Sequence, residues 1–282
     1  MFRARGVLNR FGPDVVVGTG GYTTAAVLMA QRSLGGAIVI HEQNAVPGRT
    51  NRWLARMSRK VCVSVEGSAA FFPEDKVVVT GMPVRKEFAA LPDKKDARRA
   101  LGLEADAFTI LVVGGSQGAR RLNELVVGMW PLVDDGSTQV LHQVGERNLD
   151  EVRSKETPND SMYHIAPYLD MPVAMAGADL VIGRSGASTI AEITAAGLPS
   201  IMIPYPYAYA DHQRLNAGYL AKHDAAIVCE QDAATCQILA GAVTDLRASP
   251  NKLNEMASAS ASLGKVDAAK KVAEVVLSLA NR

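Results

Sequence analysis

The sequence has few cysteines, almost no net charge and no long apolar run, and each shortage excludes a class of protein. Its 282 residues include three cysteines, with no CxxC pair or Cys/His cluster, so neither a disulfide framework nor a structural zinc site is supported. The formal net charge of +1 gives no electrostatic reason to expect a nucleic-acid partner. No apolar run approaches the roughly 20 residues that cross a bilayer. The cysteine usage favours reduced thiols in the cytoplasm.

The chain is long enough for two domains of the α/β class. Short β-branched runs alternate with helix-length amphipathic stretches, which is typical of βα units that form a parallel sheet. Strands are predicted at residues 14–18, 37–40, 60–65 and 77–80, and then at 109–113, 139–143, 162–166, 180–183, 200–204 and 225–229. Helices are predicted at residues 3–11, 23–32, 50–58, 117–133, 171–176, 187–196 and 212–223, followed by a helical tail over 233–282. A polar stretch with a proline at 91–96 predicts the end of a linker that begins near Met82.

A glycine-rich turn follows the strand predicted at 109–113. The segment Gly114-Gly115-Ser116-Gln117-Gly118 leads into a helix, so its backbone N–H groups suit phosphate oxygens. A dinucleotide fingerprint would need glycine in place of Val113 and an acid at the end of the next strand, which instead ends in His142-Gln143. Nicotinamide cofactors are therefore disfavoured. The alternative is a tight strand–helix turn without a ligand.

A second turn, from Gly183 to Glu192, also joins an apolar strand to a helix. Ser185 is expected to cap that helix, and Ser188 and Thr189 place hydroxyl and N–H groups at its positive end. Glu192 lies one helical turn further on, where its carboxylate could accept two ribose hydroxyls. A solvated helix charge or a capping-box partner is an equal alternative for Glu192.

A third loop, rich in proline and tyrosine, runs from Pro204 into a helix whose first turn carries Asp211, His212 and Gln213. Imidazole and amide groups at a strand's carboxyl end are good partners for sugar hydroxyls. A simple helix cap at Asp211 with exposed polar neighbours explains the same residues.

Two further polar segments follow strands in the first half of the chain. They are Gly18-Thr19-Gly20-Gly21-Tyr22 and His41-Glu42-Gln43-Asn44. Both are expected at the carboxyl edge of a parallel sheet, where ligands of α/β proteins bind. Four consecutive polar residues directly after an apolar strand are unusual for a purely structural segment, so the second segment is predicted to be functional.

Taken together, these segments resemble the MurG-type family of membrane-associated N-acetylglucosaminyltransferases of peptidoglycan synthesis, which convert lipid I to lipid II. The matching motifs follow the family's order and spacing across nearly the whole chain. They are Gly20-Gly21-Tyr22, His41 to Gly48, Gly81 to Arg85, Gly114 to Arg120, Arg184 to Ala187 with Glu192, Ala195 to Pro199, and Asp211 to Gln213 with Asn216-Ala217. One departure is Met82, where the family usually has asparagine.

The resemblance implies an α/β protein with the GT-B fold, in which two Rossmann-like domains face a cleft. The implied boundaries are residues 1–85, 86–265 for the UDP-sugar domain, and a last helix at 266–282 that packs back on the first domain. An inverting transfer from UDP-N-acetylglucosamine to undecaprenyl-linked lipid I is implied, with no metal or cofactor. The implied substrate-binding residues are Asn44, Arg85, Ser116, Gln117, Gly118, Arg184, Ser188, Thr189, Glu192, His212 and Gln213.

Within this set the resemblance assigns Arg85 and Ser116 to the nucleotide and diphosphate, Glu192 to the ribose and Thr189 to the phosphates. His212 and Gln213 are assigned to the sugar hydroxyls. The catalytic residues implied on the acceptor side are Tyr22, Glu42 and Asn44.

The family opens with a strand and a Gly-Gly-Thr-Gly-Gly-His loop whose histidine is the suspected general base, and nothing in this sequence matches that loop. We therefore expect an incomplete first domain that folds poorly over about its first eighty residues, and an inactive chain as given. The resemblance also implies a peripheral protein on the cytoplasmic face of the bacterial inner membrane.

Two other functions fit the same architecture. A UDP-N-acetylglucosamine 2-epimerase would need acid/base carboxylates and no lipid acceptor, and would be recognised by formation of UDP-N-acetylmannosamine. A non-catalytic UDP-sugar-binding protein would need no base.

Overall fold

The computed structural model describes residues 2–115, 118–154 and 161–280. The chain divides into two compact units, the first made of Met1–Val84 with Lys265–Arg282 and the second of Arg85–Gly264. Both are α/β units built on parallel sheets, which confirms the predicted class. None of the helices in the described residues is both long enough and apolar enough to span a membrane.

Strands and helices alternate over most of the chain, and three consecutive helices follow the last strand. The strands are β1 Val15–Gly18, β2 Ala37–Glu42, β3 Lys60–Val63, β4 Val77–Val79, β5 Phe108–Val113, β6 Thr138–Gln143, β7 Tyr163–Ala166, β8 Leu180–Gly183, β9 Ser200–Met202 and β10 Ala226–Val228. The helices are α1 Phe2–Phe11, α2 Tyr22–Ser33, α3 Arg49–Ala55, α4 Lys94–Ala100, α5 Arg120–Val133, α6 Leu149–Ser154, α7 Met171–Gly177, α8 Ala187–Ala196, α9 His212–Lys222, α10 Cys236–Arg247, α11 Pro250–Leu263 and α12 Ala268–Ala280.

The first unit is a four-stranded parallel sheet in the order β1-β2-β3-β4. The run Ile38-Val39-Ile40 of β2 is buried on both faces, as expected for a strand with helices on each side. Leu28 of α2 and Leu54 of α3 complete this core. Helix α12 contacts β1 and β2, so the end of the chain packs on the first sheet.

The second unit is a six-stranded parallel sheet in the order β10-β9-β8-β5-β6-β7. The sheet therefore grows outward in both directions from β5, as in a doubly wound fold. Its core includes Ile110 and Val112 of β5 and the fully buried Trp130 of α5. The strand order reverses beside β5, so ligands are expected at the carboxyl ends of β5 and β8.

The predicted strands agree with the observed ones to within two residues, and two differences are instructive. His41 and Glu42 lie inside β2, whereas the sequence analysis placed them after the strand. The predicted linker extends too far, because helix α4 already begins at Lys94. Asp93 caps this helix, and its Oδ1 accepts a hydrogen bond from Lys95 N at 2.8 Å. The short helix α6 was also not predicted.

Helix α4 is fixed to the second sheet by a buried ion pair. Arg98, which is 4% exposed, donates through Nη2 to Asp179 Oδ2 at 2.6 Å and through Nε to Gly177 O at 2.9 Å. The same carboxylate accepts from Thr109 N at 2.7 Å and from the half-exposed Lys94 Nζ at 2.7 Å. The first residues of the second unit are thus anchored to the strands that precede the candidate site.

We predict that Arg98→Ala lowers the free energy of unfolding of the second unit by about 3–5 kcal/mol, because it leaves Asp179 without its buried partner. The matched variant Lys94→Ala removes an exposed cation from the same carboxylate and should cost about 1 kcal/mol or less. Urea unfolding followed by Trp130 fluorescence, in a Trp53→Phe background, measures both. Equal losses would contradict the role given to burial.

Candidate active site

The turn after β5 has no room for a side chain at two of its glycines, Gly114 and Gly118. A Cβ atom on Gly118 would lie 2.0 Å from Val144 O, and one on Gly114 would lie 2.7 Å from Ala119 N. Gly115 and Gly118 also have φ values of +88° and +70°, which favour glycine. Two of the predicted substrate-binding residues, Ser116 and Gln117, lie outside the described residues. The turn brings backbone close to backbone directly before α5.

The start of α5 is electropositive. Its first turn has no acidic residue, and none of the side chains that the structure describes caps it. Arg120 and Arg121 lie there, each paired with a carboxylate. Glu124 lies 3.4 Å from Arg120 and 3.6 Å from Arg121, and Glu151 lies 3.0 Å from Arg120. A helix start of this kind attracts anions through its unpaired N–H groups and its dipole.

The turn after β8 repeats the arrangement beside it. A Cβ atom on Gly183 would lie 2.9 Å from Val113 O, so the ends of β5 and β8 are in close contact. Helix α8 begins after Gly186 with neither a side-chain cap nor an acid in its first turn. Ser188 is exposed and Thr189 is half-buried in that turn. Ser185 does not cap the helix as predicted, because its Oγ donates to Gln213 O at 2.7 Å.

Glu192 faces Arg85 rather than solvent. Its Oε1 accepts a hydrogen bond from Arg85 Nη2 at 3.0 Å, and its side chain is 19% exposed. Burial raises the pKa of Glu192, while Arg85 opposes that rise. Two residues that the sequence analysis assigned separately therefore form one polar pair at α8.

Arg184 is a buried structural cation in this protein. It is 6% exposed and donates to Ile203 O at 2.9 Å, to Pro204 O at 3.1 Å and to Gln231 Oε1 at 2.5 Å. Its guanidinium also lies over the ring of Tyr205 at 5.6 Å. These bonds hold the loop after β9, a role that the sequence analysis did not foresee.

The loop that precedes α9 presents His212 and Gln213. Gln213 Oε1 accepts from Tyr205 N at 3.0 Å, which fixes the loop to the helix. His212 Nδ1 lies 2.7 Å from Tyr209 O. A carbonyl oxygen only accepts, so Nδ1 carries a hydrogen and Nε2 of the neutral ring is an acceptor. Asn216, not among the predicted site residues, donates from Nδ2 to Ser185 O at 3.1 Å and ties α9 to the second turn.

In the first unit, Glu42 is a buried carboxylate whose two oxygens are hydrogen-bonded. Oε1 accepts from Asn44 N at 3.0 Å and from Asn44 Nδ2 at 3.3 Å, and Oε2 accepts from Asn51 Nδ2 at 2.7 Å. Glu42 is 1% exposed. Its geometry is that of a residue that holds Asn44, and Asn51 is a member of the cluster that the sequence analysis missed.

His41 and Tyr22 have opposite environments in the same unit. His41 Nε2 lies 2.9 Å from Gly81 O, and burial is the main cause that lowers the pKa of the imidazole. Tyr22 is 85% exposed at the start of α2, directly after Gly20 and Gly21 with φ values of +97° and +84°. The tyrosine is therefore available to a ligand, whereas the histidine is part of the core.

A doubly wound sheet with two adjacent anion-attracting helix starts at its carboxyl edge is typical of proteins that bind nucleotide sugars. The family model described as "Glycosyltransferase family 28 C-terminal domain" matches residues 109–272, and that of the N-terminal domain of the same family matches residues 1–63. These matches define the class as glycosyltransferases of family 28.

The chain belongs, within this class, to the MurG family. It is 38% identical over 275 residues to the UDP-N-acetylglucosamine--N-acetylmuramyl-(pentapeptide) pyrophosphoryl-undecaprenol N-acetylglucosamine transferase of Geobacter sulfurreducens, covering 96% of this chain and 75% of that protein. The Desulfitobacterium hafniense protein of the same name is 41% identical, with 99% and 78% covered. The crystal structure of Acinetobacter baumannii MurG matches with a TM-score of 0.81 and 30% identity, covering 98% of this chain and 77% of that one. The GT-B fold that the resemblance implied is thereby confirmed.

A UDP-GlcNAc 2-epimerase from Neisseria meningitidis is similar in fold alone. Its structure matches with a TM-score of 0.72 at 16% identity, covering 97% of this chain and 78% of that one. The sequence similarity therefore favours the transferase family over this alternative.

We predict that Gly118→Ala lowers the free energy of unfolding of the second unit by about 2–5 kcal/mol, because it adds both left-handed strain and a clash with Val144 O. The control is Gly136→Ala, whose φ of +74° is similar but whose Cβ would meet nothing within 4 Å. It should cost only about 1–2 kcal/mol. Urea unfolding of both variants tests the close approach, and equal losses would show that the turn has space.

Proposed function

We propose that the protein transfers N-acetylglucosamine from UDP-N-acetylglucosamine to undecaprenyl-linked lipid I, with inversion, to form lipid II. The observation that carries the proposal is the pair of helix starts, α5 and α8, which follow the adjacent strands β5 and β8 at the carboxyl edge of one sheet. Among the described residues, neither start has a side-chain cap. Two such starts can take up the two negative charges of a diphosphate without a metal ion.

The donor binds at this edge. The diphosphate lies against the turn at Gly114–Gly118 and the first turn of α8, where Ser188 and Thr189 add hydroxyl donors. Glu192 accepts hydrogen bonds from the ribose hydroxyls, and the Arg85 guanidinium opposes the rise that burial causes in the pKa of its carboxyl. The Nε2 atom of His212 and the amide of Gln213 bind the sugar hydroxyls.

The reaction is a displacement at the anomeric carbon of the sugar. The acceptor hydroxyl oxygen attacks that carbon, the bond to the UDP oxygen breaks, and UDP leaves with the electron pair. The acceptor's proton passes to a base, which we do not assign to any described residue. The helix starts stabilise the leaving diphosphate as its charge develops.

The acceptor meets residues of the first unit. Tyr22 and Asn44 contact it, and Glu42 acts through Asn44 as a positioning residue because both of its carboxylate oxygens are already hydrogen-bonded. A carboxylate that is 1% exposed also keeps Asn51 in place.

Helix α1 supports a place on the cytoplasmic face of the inner membrane. It carries three arginines and no acid, and its Phe2 and Phe11 side chains are 94% and 80% exposed. Aromatic side chains can enter the headgroup region while arginines pair with anionic lipids. The protein is thus peripheral at that surface, where its lipid-linked acceptor resides.

We predict that Glu192→Ala weakens binding of UDP-N-acetylglucosamine by about 1–3 kcal/mol, because hydrogen bonds to a half-buried carboxylate are lost. Glu255→Ala, which removes an exposed carboxylate from α11, should leave the affinity unchanged. Calorimetry measures both, and NAD should not compete at concentrations where UDP binds. Equal affinity of the Glu192 variant and the wild type would remove Glu192 from the ribose site.

We also predict that sedimentation with phosphatidylglycerol vesicles depends on α1. The double variant Phe2→Asp and Phe11→Asp should bind vesicles at least about tenfold more weakly, since two aromatic anchors are lost. Tyr168→Asp alters a 55% exposed aromatic side chain of the second unit and should have no effect. Unchanged binding of the double variant would exclude α1 as the membrane surface.

A further inference from the structure

A buried histidine lies directly beneath the glycine turn and has no part in the mechanism above. His142 of β6 is fully buried, with Nδ1 2.8 Å from Tyr163 Oη and Nε2 3.1 Å from Asn123 Oδ1. Asn123 of α5 in turn donates from Nδ2 to Val144 O at 3.1 Å. The chain of bonds runs from the core to a single carbonyl oxygen.

That carbonyl fixes the direction of every bond in the chain. Val144 O can only accept, so Asn123 presents its NH₂ group to it and its Oδ1 to the histidine. His142 must then donate from Nε2, which leaves Nδ1 to accept from the Tyr163 hydroxyl. Burial lowers the pKa of His142 to about 3, so this neutral tautomer persists across the physiological range.

The turn before α5 packs directly against the same carbonyl oxygen. A Cβ atom on Gly118 would be 2.0 Å from Val144 O, so the backbone of the turn already touches it. Asn148 Nδ2 also donates to Val144 O at 3.0 Å. A rotation of this peptide would therefore move Gly118 and the N–H groups that follow it into α5.

We propose that His142 is a positioning residue for the diphosphate-binding turn, acting through Asn123 and Val144 O with Tyr163 selecting its tautomer. This inference rests on the proposed function, since it assigns the turn to the donor's diphosphate. If His142 has this role, replacing it should weaken nucleotide binding more than a core substitution that lowers stability by the same amount.

The test compares the affinity for UDP of three variants of the whole chain. His142→Leu removes both ring bonds and should raise the Kd at least about tenfold, or about 1.4 kcal/mol. His142→Gln can still donate to Asn123 and accept from Tyr163, and should restore the Kd to within about threefold of the wild type. Val126→Ala removes buried volume from α5 without touching the network, so it serves as the stability control and should change the Kd less than about twofold.

Equal Kd values for His142→Leu and Val126→Ala at a matched loss of Tm would overturn the inference while leaving the proposed function intact. Absence of UDP binding by the wild type would overturn both. Nitrogen-15 spectra of the wild-type ring between about pH 6 and pH 8 give a second measurement that needs no variant. Protonated Nε2 with bare Nδ1 is expected, and a protonated Nδ1 would contradict the network.

Discussion

The site depends on the close approach of backbone to backbone at the carboxyl edge of the second sheet. Gly118 lies on Val144 O, and Gly183 lies on Val113 O, at distances that a Cβ atom would make impossible. Glycine at these positions lets the turns before α5 and α8 sit side by side above β5 and β8. Because two helices then begin after adjacent strands at the same edge, their positive ends favour a diphosphate there before any charged side chain is considered.

Internal hydrogen bonds of several polar groups hold this edge in place. Arg184 fastens the loop after β9, Ser185 and Asn216 tie α9 to the turn before α8, and Arg98 anchors α4 beneath the sheet. Each of these groups donates hydrogen bonds to backbone carbonyls or to other side chains of the protein. Because the edge is already ordered, polar groups such as Glu192 can bind a ligand with a smaller loss of conformational entropy.

Much of the fold could be predicted from the sequence because its signals are local. Apolar β-branched runs such as 109–113 identify strands, and the glycine turns identify helix starts. Prediction failed where the answer depends on tertiary contacts. The segment at Asp93 reads as a linker until α4 is seen to pack on Asp179. The internal hydrogen bonds of Arg184 and Glu42 likewise have no local signal in the sequence. The role proposed for His142 has no local pattern in the sequence, because the link to Val144 O consists of hydrogen bonds through Asn123 of another element.

A crystal structure of the chain with UDP-N-acetylglucosamine would show where the diphosphate binds. We predict diphosphate oxygens within hydrogen-bond distance of the backbone N–H groups at the starts of α5 and α8, with the ribose at Glu192. The opposite, amino edge of the sheet offers an independent outcome, because it has a groove lined by Phe108, Asp179 and Pro199 and by none of the proposed substrate-binding residues. Nucleotide bound in that groove, or diphosphate more than about 4 Å from both helix starts, would contradict the account.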